Sequence, residues 1–208
     1  MGLISDAGKA LALVLRALRA RAATRDVRSR LARRAPAPTA QFRLAVYFAD
    51  GEVNMYQLRQ WYRPLQHLAR TWPVVVVSRS ATGAQALLAD DALPVAFVPT
   101  VRDLEDYVAS QDIRVVLYVN QNTRNFQMFR YGRRWHVFIN HGESDKMYMT
   151  TNQFKAYDVA FVAGEAARRR LARVLWDYDL DTRTMQIGRP QADQHALGIE
   201  GARARSGE

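Results

Sequence analysis

The sequence predicts an α/β fold, a Rossmann-like parallel sheet with helices on both faces, preceded by an amphipathic N-terminal helix. From residue 41 onward, short β-branched or aromatic runs alternate with helical segments, and several of those runs are continuously apolar. Strands that are buried on both faces belong to parallel sheets, and the intervening segments are long enough to form the crossover helices. The 208 residues include no cysteine, which excludes disulfides, thiolate metal sites and a thiol nucleophile.

The first 34 residues form a basic arm whose nine cations and two anions give +7 of the net charge of +10. On a helix, Leu11, Val14 and Leu18 fall on one face, and Arg16 and Arg19 fall on the opposite face. The apolar stretch is much shorter than the ~20 residues that cross a bilayer. The pattern therefore predicts a helix that lies in the membrane interface, with these five side chains as membrane-binding candidates.

Two other interpretations of the arm remain open, docking on its own domain or a partner, and binding to nucleic acid. The arm lacks the interleaved aromatic residues of a single-strand binder, which disfavours nucleic acid. Residues 35–41 begin with Ala-Pro-Ala-Pro-Thr and are predicted to form a short stiff linker. The domain is assigned to residues 42–193 and a tail to residues 194–208.

Seven strands and five helices are predicted in this domain. Asn54, followed three positions later by Gln57, marks the start of the first helix, which Pro64 is expected to break or kink. The other predicted helices are Ala81–Asp90, Val101–Ser110, Thr123–Tyr131 and Gly164–Trp176. The predicted strands are Phe42–Phe48, Val74–Ser78, Val95–Val98, Val115–Val119, Trp135–Asn140, Val159–Ala163 and Thr184–Ile187.

Ligands of such sheets lie beyond the carboxyl ends of the strands, so the loops that follow the strands are the candidate site. The chain has no G-x-G-x-x-G after the first strand, no G-x-x-x-x-G-K-[ST] and no G-x-S-x-G. A dinucleotide dehydrogenase, a P-loop NTPase and a standard α/β-hydrolase are therefore disfavoured, and no cofactor is expected. The polar loops are Asp50–Asn54, Ser78–Ser80, Asn120–Asn122, His141–Lys146 and Gly188–Asp193.

The loop His141–Lys146 combines an imidazole, two carboxylates, a hydroxyl and an ammonium group directly after a predicted strand. His141 is suited to remove a proton from an attacking hydroxyl, with Glu143 or Asp145 orienting it. Lys146 is suited to hold a phosphate. A capped turn with solvated charges is the alternative. A metal site is a weaker one, because no second histidine at helical spacing supports it.

Residues 138–146 (Phe-Ile-Asn-His-Gly-Glu-Ser-Asp-Lys), with further matches over residues 148–164, resemble the CDP-glycerol glycerophosphotransferases of teichoic-acid synthesis in the cell wall. Members carry His-Gly-Thr-Pro-Leu-Lys after a strand, so the first, second and last residues match, whereas Glu143, Ser144 and Asp145 depart. A later Gly-x-Pro-Arg-Asn-Asp motif of the family is similar to residues 188–193, where Gln191 and Ala192 depart. The resemblance covers approximately residues 42–193.

The resemblance implies a peripheral membrane transferase of the GT-B arrangement, which has two Rossmann-like domains. Its reaction would move glycerol phosphate from CDP-glycerol to a hydroxyl of a lipid-linked or glycan acceptor, with His141 as the general base. The enzyme would be cytoplasmic, at the inner face of the cell membrane, where the basic arm would meet anionic lipid. The substrate-binding candidates are Lys146, Glu143, Asp145, Asn120, Asn122 and Arg189.

The resemblance also implies that the nucleotide donor binds mainly to a second domain after the later motif, whereas only residues 194–208 follow it in this sequence. We therefore expect a fragment, a chain whose donor half comes from another polypeptide, or a non-catalytic module that binds the acceptor or a membrane surface. A basic nucleic-acid-binding protein is a further alternative.

The remaining histidines and tryptophans are weaker candidates. His136 lies inside an apolar strand and is expected to be a packed or hydrogen-bonded core residue. His67 and His195 have no sequence partners that define a site. All four tryptophans fall outside the polar loops and are expected in the core or at an interdomain surface. They are Trp61, Trp72, Trp135 and Trp176.

Overall fold

A computed structural model of the chain describes residues 3–141, 151–190 and 192. All seven predicted strands are present, and each has the predicted length or is one or two residues shorter. They are β1 (Leu44–Phe48), β2 (Val74–Ser78), β3 (Val95–Phe97), β4 (Val115–Tyr118), β5 (Trp135–Phe138), β6 (Val159–Val162) and β7 (Thr184–Gln186).

The strands form one sheet in the order β3-β2-β1-β4-β5-β6-β7, and each neighbouring pair is parallel. The chain thus fills one side of β1 first and then returns to add β4 on the other side. This return creates a switch point between β1 and β4, where α/β folds bind ligands. The prediction of a Rossmann-like parallel sheet is confirmed.

Helices cover both faces of the sheet. In the described ranges they are α1 (Leu3–Ala32), α2 (Met55–Arg59), α3 (Tyr62–Leu68), α4 (Ala81–Asp90), α5 (Val101–Ser110), α6 (Phe126–Phe129), α7 (Glu165–Val174) and α8 (Leu180–Arg183). Short 3-10 helices lie at Glu52–Asn54, Thr123–Asn125 and Asn152–Ala156. None of the helices in these ranges is both long enough and apolar enough to cross a membrane.

Helices α4 and α5 have the predicted bounds because side chains cap them. The Ser80 hydroxyl accepts a hydrogen bond from the amide of Gly83, and Thr100 and Asp103 form a reciprocal capping box. The helix predicted to break at Pro64 breaks before it, between α2 and α3. Pro64 lies in the first turn of α3, where its missing N–H group removes no helical hydrogen bond.

Two apolar cores lie on the two faces of the sheet. One is rich in aromatic rings and packs β-strand side chains such as Tyr47 and Tyr118 against α5, α6 and α7. The other packs Val46 and Phe48 against α2, α3 and α4. The four valines of β2 are buried, as expected for a strand that is covered on both faces.

The C-terminal half of α1 packs on α4. Val27 is fully buried against Ala84 and Leu88. Polar contacts flank this core at three levels: Gln85 Nε2 donates to Asp26 Oδ2 at 2.7 Å, Arg30 Nη2 donates to the Leu88 carbonyl at 3.0 Å, and Arg34 pairs with Asp91 at 2.9 Å. The docking interpretation is therefore confirmed for this half of the arm.

The same contacts set the direction of α1. Residue numbers increase together along α1 and α4, so the two helices run parallel, and α4 begins at the sheet edge where β2 ends. The part of α1 that precedes Ala22 therefore extends beyond that edge, for about 28 Å at the helical rise of about 1.5 Å per residue.

Candidate functional site

The switch point is built around an acid and an amide at the ends of adjacent strands. Asp50 follows β1, Asn120 follows β4, and Asn120 Nδ2 donates to Asp50 Oδ2 at 2.7 Å. The other carboxylate oxygen, Oδ1, accepts from Asn54 Nδ2 at 3.0 Å. Asn120 Nδ2 also donates to Gln57 Oε1 from α2, so the loops after β1 and β4 are joined by side-chain hydrogen bonds.

A glycine allows α4 to lie close to this network. A Cβ atom on Gly83 would lie 2.3 Å from the carbonyl oxygen of Asp50, closer than any real Cβ contact. Gly83 lies in the first turn of α4, so the absence of a side chain lets the helix start directly against the Asp50 loop. The position of the Asp50 carboxylate therefore depends on Gly83.

His141 follows β5, the strand beside β4, and is partly buried. Its Nδ1 atom lies 3.0 Å from the carbonyl oxygen of Val119, and its ring meets Tyr56 edge-on with centroids 6.0 Å apart. A carbonyl oxygen only accepts, so the neutral ring carries its proton on Nδ1 and keeps the lone pair on Nε2. In this tautomer the Nε2 atom has no hydrogen-bond partner among the described residues.

The turn before His141 is fixed by two further contacts. Asn140 has a left-handed backbone with φ of 57°, which asparagine tolerates better than most residues, and its side-chain oxygen accepts from the amide of His141 at 2.8 Å. Trp61 is buried, and its indole N–H donates to the Asn140 carbonyl. The expected core position of Trp61 is confirmed, and its polar contact orients this turn.

The structure places the predicted substrate-binding residues differently. Asn120 lies in the switch-point network. Asn122 caps the following 3-10 helix, since its side-chain oxygen accepts from the amide of Arg124 at 2.8 Å, and its carbonyl accepts from Gln153 at 3.0 Å. Glu143, Asp145 and Lys146 lie outside the described residues, so their predicted roles stay predictions.

Arg189 is exposed and follows β7, at the edge of the sheet. Two strand spacings, about 10 Å, separate β7 from β5, and three, about 14 Å, separate it from β4. The structure does not bring Arg189 into contact with His141 or Asn120. Among the described residues, no group of three or more His, Asp or Glu side chains is placed to hold a metal ion.

The candidate membrane-binding residues lie on the projecting part of α1. Leu11, Val14 and Leu18 are 60%, 55% and 52% exposed, and Arg19 is exposed as well. Arg16 belongs to the same helix, and its side chain lies outside the described part of the structure. Leu15, which is not among the predicted membrane-binding residues, is also 44% exposed.

His136 is a core residue, as predicted. Its Nδ1 accepts from the Tyr118 hydroxyl at 2.7 Å, and its Nε2 lies 3.3 Å from the carbonyl of Tyr131. Burial lowers the pKa of His136, although the hydrogen bond to Tyr131 and the charge of Asp158 oppose that shift. The other three tryptophans were expected in the core or at an interdomain surface. None of them lies in the core, because all three side chains are exposed: Trp72, Trp135 and Trp176.

The loops that contain Asp50 and Arg79 were among the predicted site loops, but neither residue was predicted to belong to the site. The position of each directly after a buried strand was the available signal. Tyr56 and Gln57 carried no such signal, because only the packing of α2 brings them to the strand ends. Comparisons of the chain with models of protein families, with curated proteins and with solved structures gave no match.

Proposed function

We propose that this chain is the acceptor-side domain of a glycerophosphotransferase-like enzyme, which transfers glycerol phosphate from CDP-glycerol to a hydroxyl of a lipid-linked or glycan acceptor. The observation that carries the proposal is His141: its Nδ1 proton is engaged by the Val119 carbonyl, so Nε2 is the basic atom, next to the switch point of a parallel sheet. The sequence resemblance supplies the substrate class.

In the proposed reaction, the acceptor hydroxyl gives its proton to Nε2 of His141 while its oxygen attacks the phosphorus that bears glycerol. The bond from that phosphorus to the bridging oxygen breaks, and CMP leaves with the electron pair. Asp50, Asn54 and Asn120 form a polar network of the kind that orients sugar or glycerol hydroxyls. A second domain, on this or another polypeptide, would bind the nucleotide.

The projecting helix supports a membrane-surface position for the acceptor. The apolar stripe of α1 is exposed and extends beyond the same sheet edge that carries His141. Leu18 and Val27 are nine residues apart, about 180° around the helix, so the stripe faces away from the side that docks on α4. The stripe is therefore suited to an external apolar layer, and the arginines beside it to anionic headgroups.

A donor-transfer assay tests the proposal. Transfer of label from CDP-glycerol to a lipid-linked glycerol-phosphate acceptor is expected when the chain is combined with a donor-binding domain. Acceptor binding without turnover would favour the binding-module alternative, for which the exposed stripe of α1 is the specific observation. Binding to duplex DNA with a steep salt dependence would instead favour the nucleic-acid alternative.

A further inference from the structure

Arg79 is a buried guanidinium at the sheet edge that carries the candidate site. It follows β2 directly and is only 6% exposed. Its Nη1 donates to the Tyr47 hydroxyl at 3.4 Å and its Nη2 to the Pro99 carbonyl at 3.3 Å, whereas Nε is buried and has no hydrogen-bond partner among the described residues. Both acceptors are neutral, and both distances are at the long limit of a hydrogen bond.

In the part of the chain that the structure describes, this arrangement leaves a buried charge without a counter-charge. Among the described residues, no carboxylate lies within ion-pair distance of Arg79. Buried charges in proteins are normally paired, because a lost hydration shell must be replaced. Asp103 has a long-range electrostatic interaction with Arg79. Its Oδ2 atom, however, already accepts hydrogen bonds from the amide and hydroxyl of Thr100, at 3.0 and 2.6 Å.

The backbone of a second arginine, Arg124, contacts the same tyrosine from the other side of β1. The Tyr47 hydroxyl donates to the backbone carbonyl of Arg124 at 3.1 Å, and the side chain of Arg124 is exposed. Burial raises the pKa of Tyr47, and the charges of Arg79 and Arg124 both oppose that rise. The end of β1 is therefore flanked by one buried and one exposed cation.

We propose that Arg79 and Arg124 bind a phosphate group at the carboxyl end of β1. A guanidinium presents several N–H donors in a planar fork, which matches the oxygens of phosphate. The Nε–H group of Arg79 has no hydrogen-bond partner among the described residues. The long bonds to Tyr47 and Pro99 are the ones that a phosphate oxygen would replace. This site does not depend on the proposed transfer reaction or on His141.

The test is a titration of the full chain with inorganic phosphate, followed by the ¹⁵N NMR signals of the arginine Nε–H groups at constant ionic strength. A saturable shift of the Arg79 signal is expected. Arg79→Met should weaken binding about tenfold or more, and Arg124→Ala should weaken it several-fold. Arg102→Met is the matched control, since Arg102 lies on the nearby α5 with its side chain 91% exposed, and should change nothing.

Two further arms complete the experiment. Glycerol 3-phosphate and bicelles that contain phosphatidylglycerol distinguish a soluble phosphate from a lipid headgroup, and a response to either supports the site. If Arg79→Met does not fold, the wild-type Arg79 signal and the exposed Arg124→Ala variant decide. An Arg79 signal that phosphate does not move, or equal binding by wild type and Arg124→Ala, would overturn the proposal.

Discussion

A single hydrogen bond determines which nitrogen of His141 is basic. The Val119 carbonyl engages Nδ1, so Nε2 is the atom that would take the proton in the proposed reaction. In a complex that carries out transfer, His141→Ala should therefore lower turnover by about 100- to 10,000-fold, the usual contribution of a positioned base, with an unchanged circular dichroism spectrum. His67→Ala is the matched control, because His67 is exposed on α3 and should leave the rate unchanged. Near-normal turnover by His141→Ala would contradict the assignment.

The buried His136 makes stability depend on pH. Burial lowers its pKa below the ordinary value of 6.5, so below pH 6.5 the unfolded chain binds more protons than the folded one. The free energy of unfolding should therefore fall as the pH falls below 6.5. Urea denaturation at about pH 7.5 and pH 5.5, where carboxylates stay ionised, measures this change. A His136→Gln variant should be less stable at pH 7.5 and show a weaker pH dependence, and an equal pH dependence would refute this origin.

The residues of the candidate site differ in how far sequence could predict them. Asn120 and His141 each follow a strand, and that position identified them. The contact between Asp50 and Asn120 requires β1 to lie beside β4, an adjacency that hydrophobic periodicity does not encode, because about 70 residues separate the strands. Asn122 caps the 3-10 helix that follows it, as asparagine commonly does, and its predicted role in substrate binding stays a prediction.

At the scale of elements, the close approach of α4 to the Asp50 loop makes a strong prediction. Gly83→Ala places a methyl group 2.3 Å from a backbone oxygen that cannot rotate away, so it should lower the free energy of unfolding by about 1–3 kcal/mol. The matched control is Gly132→Ala, since a Cβ atom there meets nothing within 4 Å. Urea denaturation compares the two variants, and equal stabilities would show that α4 can shift without cost.

The docking of α1 is testable in the same way. Val27 is fully buried against Ala84 and Leu88, so Val27→Ala should cost about 2 kcal/mol through lost burial and the cavity that remains. Val14 is 55% exposed on the same helix, and Val14→Ala should change stability by less than about 0.5 kcal/mol. Similar effects of the two substitutions would contradict the docked arrangement.

Element bounds could be predicted where local chemistry is strong. Helices α4 and α5 have the predicted bounds, and in the structure the hydroxyl groups of Ser80 and Thr100 cap the free amides at their starts. The predicted helix Thr123–Tyr131 is instead a 3-10 turn followed by the four-residue α6. Helix α8 was missed, although Asp179 caps it, because four residues are too few for a periodic pattern.

For the whole molecule, the charge of the arm and its exposed stripe predict binding to anionic vesicles. Deletion of residues 1–22 removes the stripe and keeps the docked segment, so it should abolish binding while leaving the free energy of unfolding nearly unchanged. Added salt should weaken the wild-type interaction, since each cation contributes about 1 kcal/mol near the leaflet and is screened. Co-sedimentation with phosphatidylglycerol vesicles measures both effects, and equal binding by the deleted chain would refute the membrane interpretation.

The packing of α1 over α4 also reaches the edge of the sheet. Val95 and Phe97 of the edge strand β3 pack on the cluster that Val27 completes, and β3 is only three residues long. Next to it, β2 carries four consecutive valines, a segment of high strand propensity. Removal of the whole arm would expose the apolar side chains of this edge strand, and exposed edge strands can pair between separate molecules. We therefore expect a chain that lacks the whole arm to aggregate more readily than the intact chain.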